Sequence, residues 1–457
     1  MDFYRIKSRN TKSGSEVFPD FRVVRSKDLM VRGRSFYAIW DEAKAMWSTD
    51  EYDVQRLVDE ELDAFAKKEN GKAECKYMSD FSSNSWMMFR RYMNNLSDSS
   101  HQLDENLTFS NTNVKKGDYV SRRLPYPLAS GEHSAYDELI GTLYEPSERA
   151  KLEWAIGAII AGDAKHIQKF LVLYGPAGTG KSTVLNLVQR LFEGYYTTFE
   201  AKALTSSSNG FATEVFRDNP LVAIQHDGDL SKIEDNTLLN SITAHEDMTM
   251  NEKYKPSYMA SIAAFLFMGT NKPVKITDAK SGIIRRLIDV HPSGEKVSPK
   301  RYQALISQMD FELGAIAQHC LDAYRSMGKD YYSGYKPTEM MLQTDVFFNF
   351  IESYFDVFKS QNGATLKQGY ELYKLYCEEA DIEYKLPRHR FRDEFRNYFH
   401  EFHDRFDVDG ASVRSWYAGF NADKFKSQTG DDGVFSLVMD ENESLLDKDL
   451  LSMPAQL

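Results

Sequence analysis

The sequence predicts an α/β protein with a parallel-sheet core, preceded by a mixed α+β N-terminal region and followed by a small, mostly helical domain. Two observations indicate the core. Apolar runs of strand length alternate with helical patterns between residues 169 and 292, which is typical of a parallel sheet with helical crossovers. A glycine-rich loop, residues 175–182, also lies between the first apolar run and an amphipathic helical segment.

The composition is that of a folded protein without membrane spans. Hydrophobic residues make up 42% and aromatic residues 13% of the 457 residues, which is ample for globular cores. We see no secretory leader after Met1 and no run near the ~18 apolar residues of a membrane span, and the sparse cysteines (Cys75, Cys320 and Cys377) indicate a reducing compartment. We therefore expect a soluble, cytoplasmic protein with no membrane partner. The net charge of −12 argues against a surface that coats nucleic acid as a whole, but it permits a local basic channel.

The glycine-rich loop matches the phosphate-binding pattern G-x-x-x-x-G-K-[ST], with an apolar strand before it and a helix after it. Backbone N–H groups and the helix N-terminus would surround phosphate oxygens. Lys181 would reach the β- and γ-phosphates, and the Ser182 hydroxyl would ligate Mg²⁺. The sequence therefore predicts a nucleoside triphosphate site, with ATP and Mg²⁺ as the bound groups. The predicted ATP-binding residues are Gly175, Pro176, Ala177, Gly178, Thr179, Gly180, Lys181, Ser182 and Thr183.

Polar side chains follow two strands of the predicted core. The predicted strands are residues 170–174, 195–199, 221–225, 263–269 and 287–291. We assign Asp227 to Mg²⁺ through water and Asp229 to polarising the attacking water; the two roles can be exchanged, and an ordinary acidic turn is the alternative. Asn271 follows the next strand, where its side chain would hydrogen-bond the γ-phosphate or the attacking water, although asparagine is also a common loop residue.

Two arginines, Arg285 and Arg286, precede the last predicted strand. An arginine supplied in trans can stabilise the charge that develops on a transferred phosphoryl group. The alternative is a pair of surface arginines in ion pairs. The other motifs favour the catalytic interpretation.

Together these motifs resemble superfamily 3 helicases and, more closely, the helicase part of the phage/plasmid and poxvirus-type primase-helicases. The resemblance implies an AAA+-like P-loop NTPase core that forms a ring, with ATP between subunits, and moves 3′ to 5′ along single-stranded DNA. It also implies a hairpin whose tip holds DNA in the central channel, and the tip positions are Lys253, Tyr254 and Lys255. This suits the chemistry, since cations neutralise phosphates and an aromatic ring stacks on a base; a solvated turn before a strand is the alternative. The segments that carry the resemblance are residues 175–182, the strand before Asp227, 242–255, 266–273 and 282–286.

The resemblance further implies partners and a location. Single-stranded or forked DNA is the expected substrate, a homohexamer the expected assembly, and the host cytoplasm the expected compartment if the chain is phage-encoded. We find no acidic polymerase or primase motif, so a separate primase or polymerase is the expected partner for priming.

Residues 345–420 read as three helices followed by a hairpin around Asp409 and Gly410, the order of a winged helix. Arginines cluster in the third helix and the hairpin, which is typical of a phosphate or groove reader, although such domains also contact proteins. The predicted DNA contacts are Arg388, Arg390 and Arg392; Arg396, Arg405 and Arg414 add to the cluster.

The predicted domains are an N-terminal region of unknown role (1–133), an ATPase and helicase domain with its helical bundle (134–335), a winged-helix-like domain (338–425) and an acidic tail (426–457). Within the first, residues 40–67 are expected to be helical. The predicted function is an ATP-dependent replicative DNA helicase of phage, viral or plasmid type. The alternative is an AAA+ ATPase that remodels protein complexes, such as a helicase loader, without unwinding DNA.

Overall fold

The computed structural model describes residues 1–12, 14–68, 73–204, 211–228, 237–251, 257–272, 274, 282–283, 285–337, 340, 346–379, 385–408 and 411–422. The chain divides into two compact units. The first unit comprises Met1–Glu132, Ile160–Gly162 and Phe311–Gln318, and the second comprises the remaining residues. Within the described part of the chain, no helix is both long and apolar enough to cross a bilayer.

The first unit is built from small sheets and two long helices. β1 and β2 are antiparallel and β6 joins β2 in parallel; β3, β4 and β5 form an antiparallel sheet; β7 and β8 pair in parallel. The buried faces of α1 and α2 enclose an aromatic core that includes Phe3, Phe89 and Tyr92. The elements are β1 (Arg5–Thr11), β2 (Gly14–Asp20), β3 (Leu29–Arg32), β4 (Ser35–Asp41), β5 (Met46–Ser48), α1 (Tyr52–Lys68), β6 (Ala73–Cys75), α2 (Ser83–Asn95), β7 (Thr108–Phe109) and β8 (Arg123–Leu124).

The predicted helix over residues 40–67 is wrong in its first twelve residues, 40–51. Trp40 lies in β4 and Trp47 in β5, and their indole rings pack with centroids 5.9 Å apart. A turn joins these strands, and Ala45 has a φ of 49°, which a helix cannot accommodate. The helix therefore begins only at Tyr52. The cross-strand tryptophan pair outweighs the helical spacing of the apolar residues.

The second unit contains the predicted sheet. All five predicted strands are present and parallel, in the order β10-β11-β14-β9-β15. The four strands β9, β11, β14 and β15 are almost wholly buried, as strands covered on both faces must be. Because all strands run the same way, their carboxyl ends lie along one edge. The strands are β9 (Phe170–Tyr174), β10 (Tyr196–Thr198), β11 (Val222–Gln225), β14 (Phe265–Thr270) and β15 (Leu287–Val290).

Helices and one hairpin complete this region. Gly157 in α4 leaves no room for a Cβ against the Cys320 carbonyl of α9, so a side chain there would push the two helices apart. β12 and β13 form an antiparallel hairpin that pairs Met250 with Tyr258. The elements are α3 (Ser134–Leu143), α4 (Pro146–Ile160), α5 (Ala164–Ile167), α6 (Lys181–Leu191), α7 (Ala201–Leu204), α8 (Thr237–Thr243), β12 (Asp247–Met250), β13 (Tyr258–Ser261) and α9 (Pro299–Met327).

The C-terminal segment has the predicted helices and hairpin, with two differences. The first predicted helix is divided into two at Tyr354, and a short strand, β16, pairs with β18. A three-residue strand carries too little alternation to be recognised in sequence. Aromatic side chains fill its core, with Phe391 and Phe395 on the buried face of the arginine-bearing helix. The elements are α10 (Val346–Ser353), α11 (Phe355–Gln361), β16 (Gly363–Thr365), α12 (Leu366–Glu379), α13 (Arg388–Arg396), β17 (Phe399–Val408) and β18 (Ala411–Phe420).

Candidate nucleotide-binding site

The glycine-rich loop leaves the carboxyl end of β9 and enters α6 at Lys181. Gly178 and Gly180 have φ values of 77° and 97°, in the left-handed region that favours glycine. A Cβ on Gly180 would also lie 2.8 Å from Leu143 Cδ1. The loop backbone therefore requires glycine at position 180 for both conformation and space.

Lys181 links the loop to two neighbouring strand ends. Its Nζ donates to the carbonyl oxygens of Gly175 (2.6 Å) and Pro176 (2.7 Å) and to Asn271 Oδ1 (2.8 Å). Asn271 Nδ2 in turn donates to Asp227 Oδ1 (3.2 Å). Three side chains from separate segments, Lys181, Asn271 and Asp227, thus form one hydrogen-bonded chain along the carboxyl edge of the sheet.

A cavity of about 400 Å³ opens over this chain, within the size range of small-molecule sites. Asp227, Asn271 and Ser182 are exposed to it, whereas Lys181 is only 6% exposed. The cavity is lined by Leu143, Ala177, Gly178, Gly180, Lys181, Ser182, Thr183, His226, Asp227, Asn271, Lys296, Val297 and Tyr302. Most of the loop residues predicted to bind ATP therefore face the same space as Asp227 and Asn271.

Burial controls the electrostatics of the loop. It lowers the pKa of Lys181, and the nearby Asp227 carboxylate partly opposes that effect. A partly desolvated ammonium group at the mouth of a glycine loop attracts an anion more strongly than one in bulk water, because little solvent screens it. The site is therefore suited to phosphate.

The donor set fits Mg²⁺, which prefers oxygen ligands and uses one or two protein groups together with substrate phosphates and water. The Ser182 hydroxyl and the Asp227 carboxylate both line the cavity. Among the described residues, no group of three or more His, Cys, Asp or Glu side chains is placed to hold a metal. Asp229, the other predicted carboxylate, lies outside the described residues.

Several cavity residues carry no sequence motif. Leu143 ends α3, and Lys296, Val297 and Tyr302 lie in and before the first turn of α9. The hydroxyl groups of Tyr302 and Thr183 are 3.0 Å apart, which connects α9 to the loop helix. His226 precedes Asp227 and hydrogen-bonds Gln189 of α6 through Nε2, at 3.0 Å. Only His226 had a sequence signal, its position beside the predicted carboxylate.

The two arginines lie at the amino-terminal ends of the strands, whereas the glycine-rich loop of the same chain lies at the carboxyl ends. Phe170 N donates to Arg286 O at the start of β9, whereas the loop begins after the end of β9. Arg286 is buried, and its Nη1 donates to Gly282 O (3.1 Å) and Asn240 Oδ1 (3.4 Å). Burial and then the charge of Arg285 lower the pKa of Arg286, while Glu246 opposes them. Arg285, by contrast, is exposed.

Lys169 hydrogen-bonds to the backbone of the segment that carries Arg285 and Arg286. It is buried, and its Nζ donates to Arg285 O (2.5 Å) and Ser333 O (3.2 Å). Burial, followed by repulsion from Arg286, lowers the pKa of Lys169 from 10.5 to about 8. A buried ammonium thus holds the backbone that carries both arginines.

The lowered pKa of Lys169 predicts a pH-dependent contribution to stability. Below pH 8 the lysine is protonated in both the folded and the unfolded chain, and burial of its charge lowers the free energy of unfolding. Between pH 8 and 10.5 the unfolded chain binds more protons than the folded chain, so the free energy of unfolding rises with pH. The free energy of unfolding of wild type minus that of Lys169→Met should rise with pH across this window, by at most about 1.4 kcal/mol per unit. Urea unfolding at several pH values measures it. Lys300→Met, at an exposed lysine, is the control, and a flat difference for Lys169→Met would contradict the assignment.

The predicted DNA contacts fall in two places. Lys253, Tyr254 and Lys255 lie outside the described residues, in sequence between the paired strands β12 and β13. Arg388, Arg390 and Arg392 are exposed on α13, where Arg392 pairs with its neighbour Asp393 at 3.1 Å. The structure does not bring these arginines into the cavity.

Comparison with known proteins finds one matching family model and several similar solved structures. Residues 173–286 match the model of DUF5906, a family of unknown function. The apo structure of the NrS-1 C-terminal region (305–718) is similar with a TM-score of 0.40 and 13% identity, over 65% of this chain and 80% of that one. The A form apo structure of the same region is similar with a TM-score of 0.40 and 14% identity, over 65% and 81%. The family match begins in β9 and ends at Arg286, so it contains the loop, Asp227, Asn271 and both arginines.

Proposed function

We propose that this chain is an ATP-driven DNA helicase of the superfamily 3 type, active in phage, viral or plasmid replication as a homohexameric ring. The observation that carries the proposal is the hydrogen-bonded chain of Lys181, Asn271 and Asp227 at one edge of a parallel sheet, with Arg285 and Arg286 at the other. Because the glycine-rich loop and the arginines of one chain lie at opposite ends of the strands, an arginine from a neighbouring copy is suited to complete the ATP site.

In this proposal ATP occupies the cavity with its phosphates against the glycine loop. Lys181 binds the β- and γ-phosphates, and Asn271 holds the γ-phosphate or the attacking water in position. Asp227 or Asp229 polarises that water. Ser182 would hold Mg²⁺ together with Asp227, or with Asp229 if the two carboxylates exchange roles, and the ion would supply charge neutralisation at the phosphate oxygens. The side chains of Leu143 and Val297 line the same cavity and suit an apolar base.

Hydrolysis would drive DNA through the ring. The β12–β13 hairpin carries Lys253, Tyr254 and Lys255 in its connection, and these residues would hold single-stranded DNA and move it 3′ to 5′. The C-terminal domain, which has the helix and strand order of a winged helix, would contact DNA through Arg388, Arg390 and Arg392. A separate primase or polymerase would supply priming.

The deciding experiment measures ATP hydrolysis with and without single-stranded DNA, together with displacement of a strand from forked DNA. Wild type is expected to show DNA-stimulated hydrolysis and unwinding. Hydrolysis without stimulation or unwinding would instead indicate the protein-remodelling alternative.

The hairpin assignment is tested by changing Lys253 and Lys255 together to alanine. Loss of two phosphate-neutralising charges per subunit should abolish unwinding and DNA stimulation, because the ring would no longer grip the strand. Nucleotide binding is measured to confirm an intact site. Lys67→Ala with Lys68→Ala, at exposed positions of α1, is the matched control. Unimpaired unwinding by the Lys253 and Lys255 variant would refute the hairpin role.

A further inference from the structure

The C-terminal domain carries arginines in arrangements that cost stability unless an anion lies beside them. Arg388, Arg392 and Arg396 recur at four-residue spacing, so they share one face of α13, and like charges at this spacing repel. Arg405 of β17 lies directly opposite Arg414 of β18 in the antiparallel register, which is also unfavourable for like charges. We call these five residues the arginine face.

The described residues provide little compensation for these charges. Apart from Arg392, which pairs with Asp393 at 3.1 Å, no member of the arginine face forms an ion pair within the described part of the chain. Asp404 and Asp407 on β17 do not pair with Arg405 or Arg414 there, and Glu401 is engaged with His403. Phe395 of α13 packs against Tyr417 of β18 with ring centroids 5.2 Å apart, so the helix and the hairpin that carry these arginines are in direct contact.

The chain itself contains a complementary segment. Residues 429–457, which lie outside the described residues, contain seven Asp and Glu residues and a single Lys. The apolar pair Leu445-Leu446 lies among these acids, and Leu450-Leu451 follows the last of them. Seven carboxylates along one short segment present anions to an arginine surface much as a strand of phosphates does.

The segment is joined to the chain beside this surface. Asn421 N donates to Tyr398 O at 2.9 Å, and Phe420 pairs with Phe399, so the chain leaves β18 close to the end of α13. The residues from Ala422 to Asp431 span at most about 30 Å when extended. Arg405 and Arg414 lie six residues from Phe399 and Phe420, the paired residues at this end of the hairpin, which is about 20 Å along the strands. The acids therefore reach the arginine face, at an effective concentration of about millimolar.

We propose that residues 429–457 bind the arginine face of their own chain and compete there with single-stranded DNA. The competition with DNA rests on the proposed function, whereas the contact itself does not. Binding of the acidic segment lowers the affinity of the C-terminal domain for isolated DNA. A strand already held by the ring displaces the segment because it presents many phosphates at once.

The test compares full-length wild type with a full-length variant whose seven acids in residues 429–457 are changed to Asn or Gln. Binding of a fluorescent thymidine oligonucleotide is measured without ATP. The variant is expected to bind about tenfold more tightly at low salt, and the difference should shrink as salt screens the contact. Neutralising seven exposed acids of the first unit, among them Glu51, Glu74, Asp80 and Glu132, controls for net charge and should have a much smaller effect.

A second arm locates the contact. In a background with Arg388, Arg396, Arg405 and Arg414 changed to Ala, neutralising the acidic segment should no longer alter DNA affinity. A labelled peptide of residues 429–457 should bind the neutralised chain, and it should bind the arginine-deficient chain much more weakly.

Three outcomes would overturn the proposal. These are equal DNA affinity with and without the acids, an unchanged effect of the acids in the arginine-deficient background, and an effect that grows with protein concentration. The second outcome would mean that the acidic segment binds a different surface. The third would mean that the segment bound to the arginine face comes from a neighbouring chain. Failure of the proposed helicase function is separate, since it would appear as absent unwinding while the ATP-independent competition persists.

Discussion

ATP hydrolysis is expected to fall by roughly 10²–10³-fold when Lys181 is replaced by alanine, the loss typical of removing one preorganised electrostatic group. Lys181 is the cation of the glycine loop, and its Nζ is held by two loop carbonyls and by Asn271. Its removal leaves the γ-phosphate without a desolvated positive charge and leaves Asn271 Oδ1 without the donor that Lys181 provides. Phosphate release by the purified variant, with and without single-stranded DNA, measures the effect.

The fold should survive this change. Lys181 lines the cavity and Pro176 is exposed, so water can enter the space left by the ammonium group, and its loss costs only about 1 kcal/mol. Circular dichroism and thermal unfolding should therefore match those of wild type. Lys300→Ala, at an exposed lysine of α9, is the matched control and should hydrolyse ATP normally. Normal turnover by Lys181→Ala would remove the basis for the ATPase assignment.

The core of the second unit could be read from sequence because its signals are local. A strand buried on both faces is an apolar run whatever its neighbours are, and a loop that holds phosphate requires glycine at fixed positions. Strand direction then places Lys181, Asp227 and Asn271 at one edge without any knowledge of side-chain packing. Their mutual hydrogen bonds follow from that topology.

The cavity residues that the sequence does not predict reach the site through packing between distant segments of the chain. Leu143 and Tyr302 reach the cavity from helices that carry no motif, and only the folded chain brings them beside Thr183. The different environments of Arg285 and Arg286 were equally invisible, since adjacent residues of the same type look alike in sequence. Burial of one and exposure of the other arise from how the turn before β15 packs against Asn240.

This difference in environment makes Arg285 the better candidate for the residue that acts on a neighbour's ATP. Both arginines lie at the amino end of β15, about 16 Å of strand away from the loop of their own chain. Neither side chain can span that distance, so the arginine would act in trans. Arg286 is buried on Gly282 and Asn240 of its own chain, whereas Arg285 is exposed and available.

Arg285→Ala is therefore expected to lower ATP hydrolysis by roughly 10³–10⁵-fold while nucleotide affinity and thermal stability stay near wild type. Arg286→Ala should instead lower stability, because it removes buried hydrogen bonds. Arg325→Ala, at an exposed arginine of α9, is the matched control. An Arg285→Ala chain that hydrolyses ATP at the wild-type rate would exclude this arginine.

Mixing variants tests whether the arginine acts between subunits. Lys181→Ala and Arg285→Ala chains are each expected to be inactive, but in a mixed ring an intact loop can meet an intact arginine from the other variant. In a head-to-tail ring formed from equal amounts, about a quarter of the interfaces would be complete. Recovery of hydrolysis in proportion to that fraction requires a shared site, because no chain in the mixture carries both residues. If the two variants stay inactive when they are co-assembled, Arg285 does not act on the ATP of a neighbouring subunit. It would then act within its own chain or take no part in the reaction.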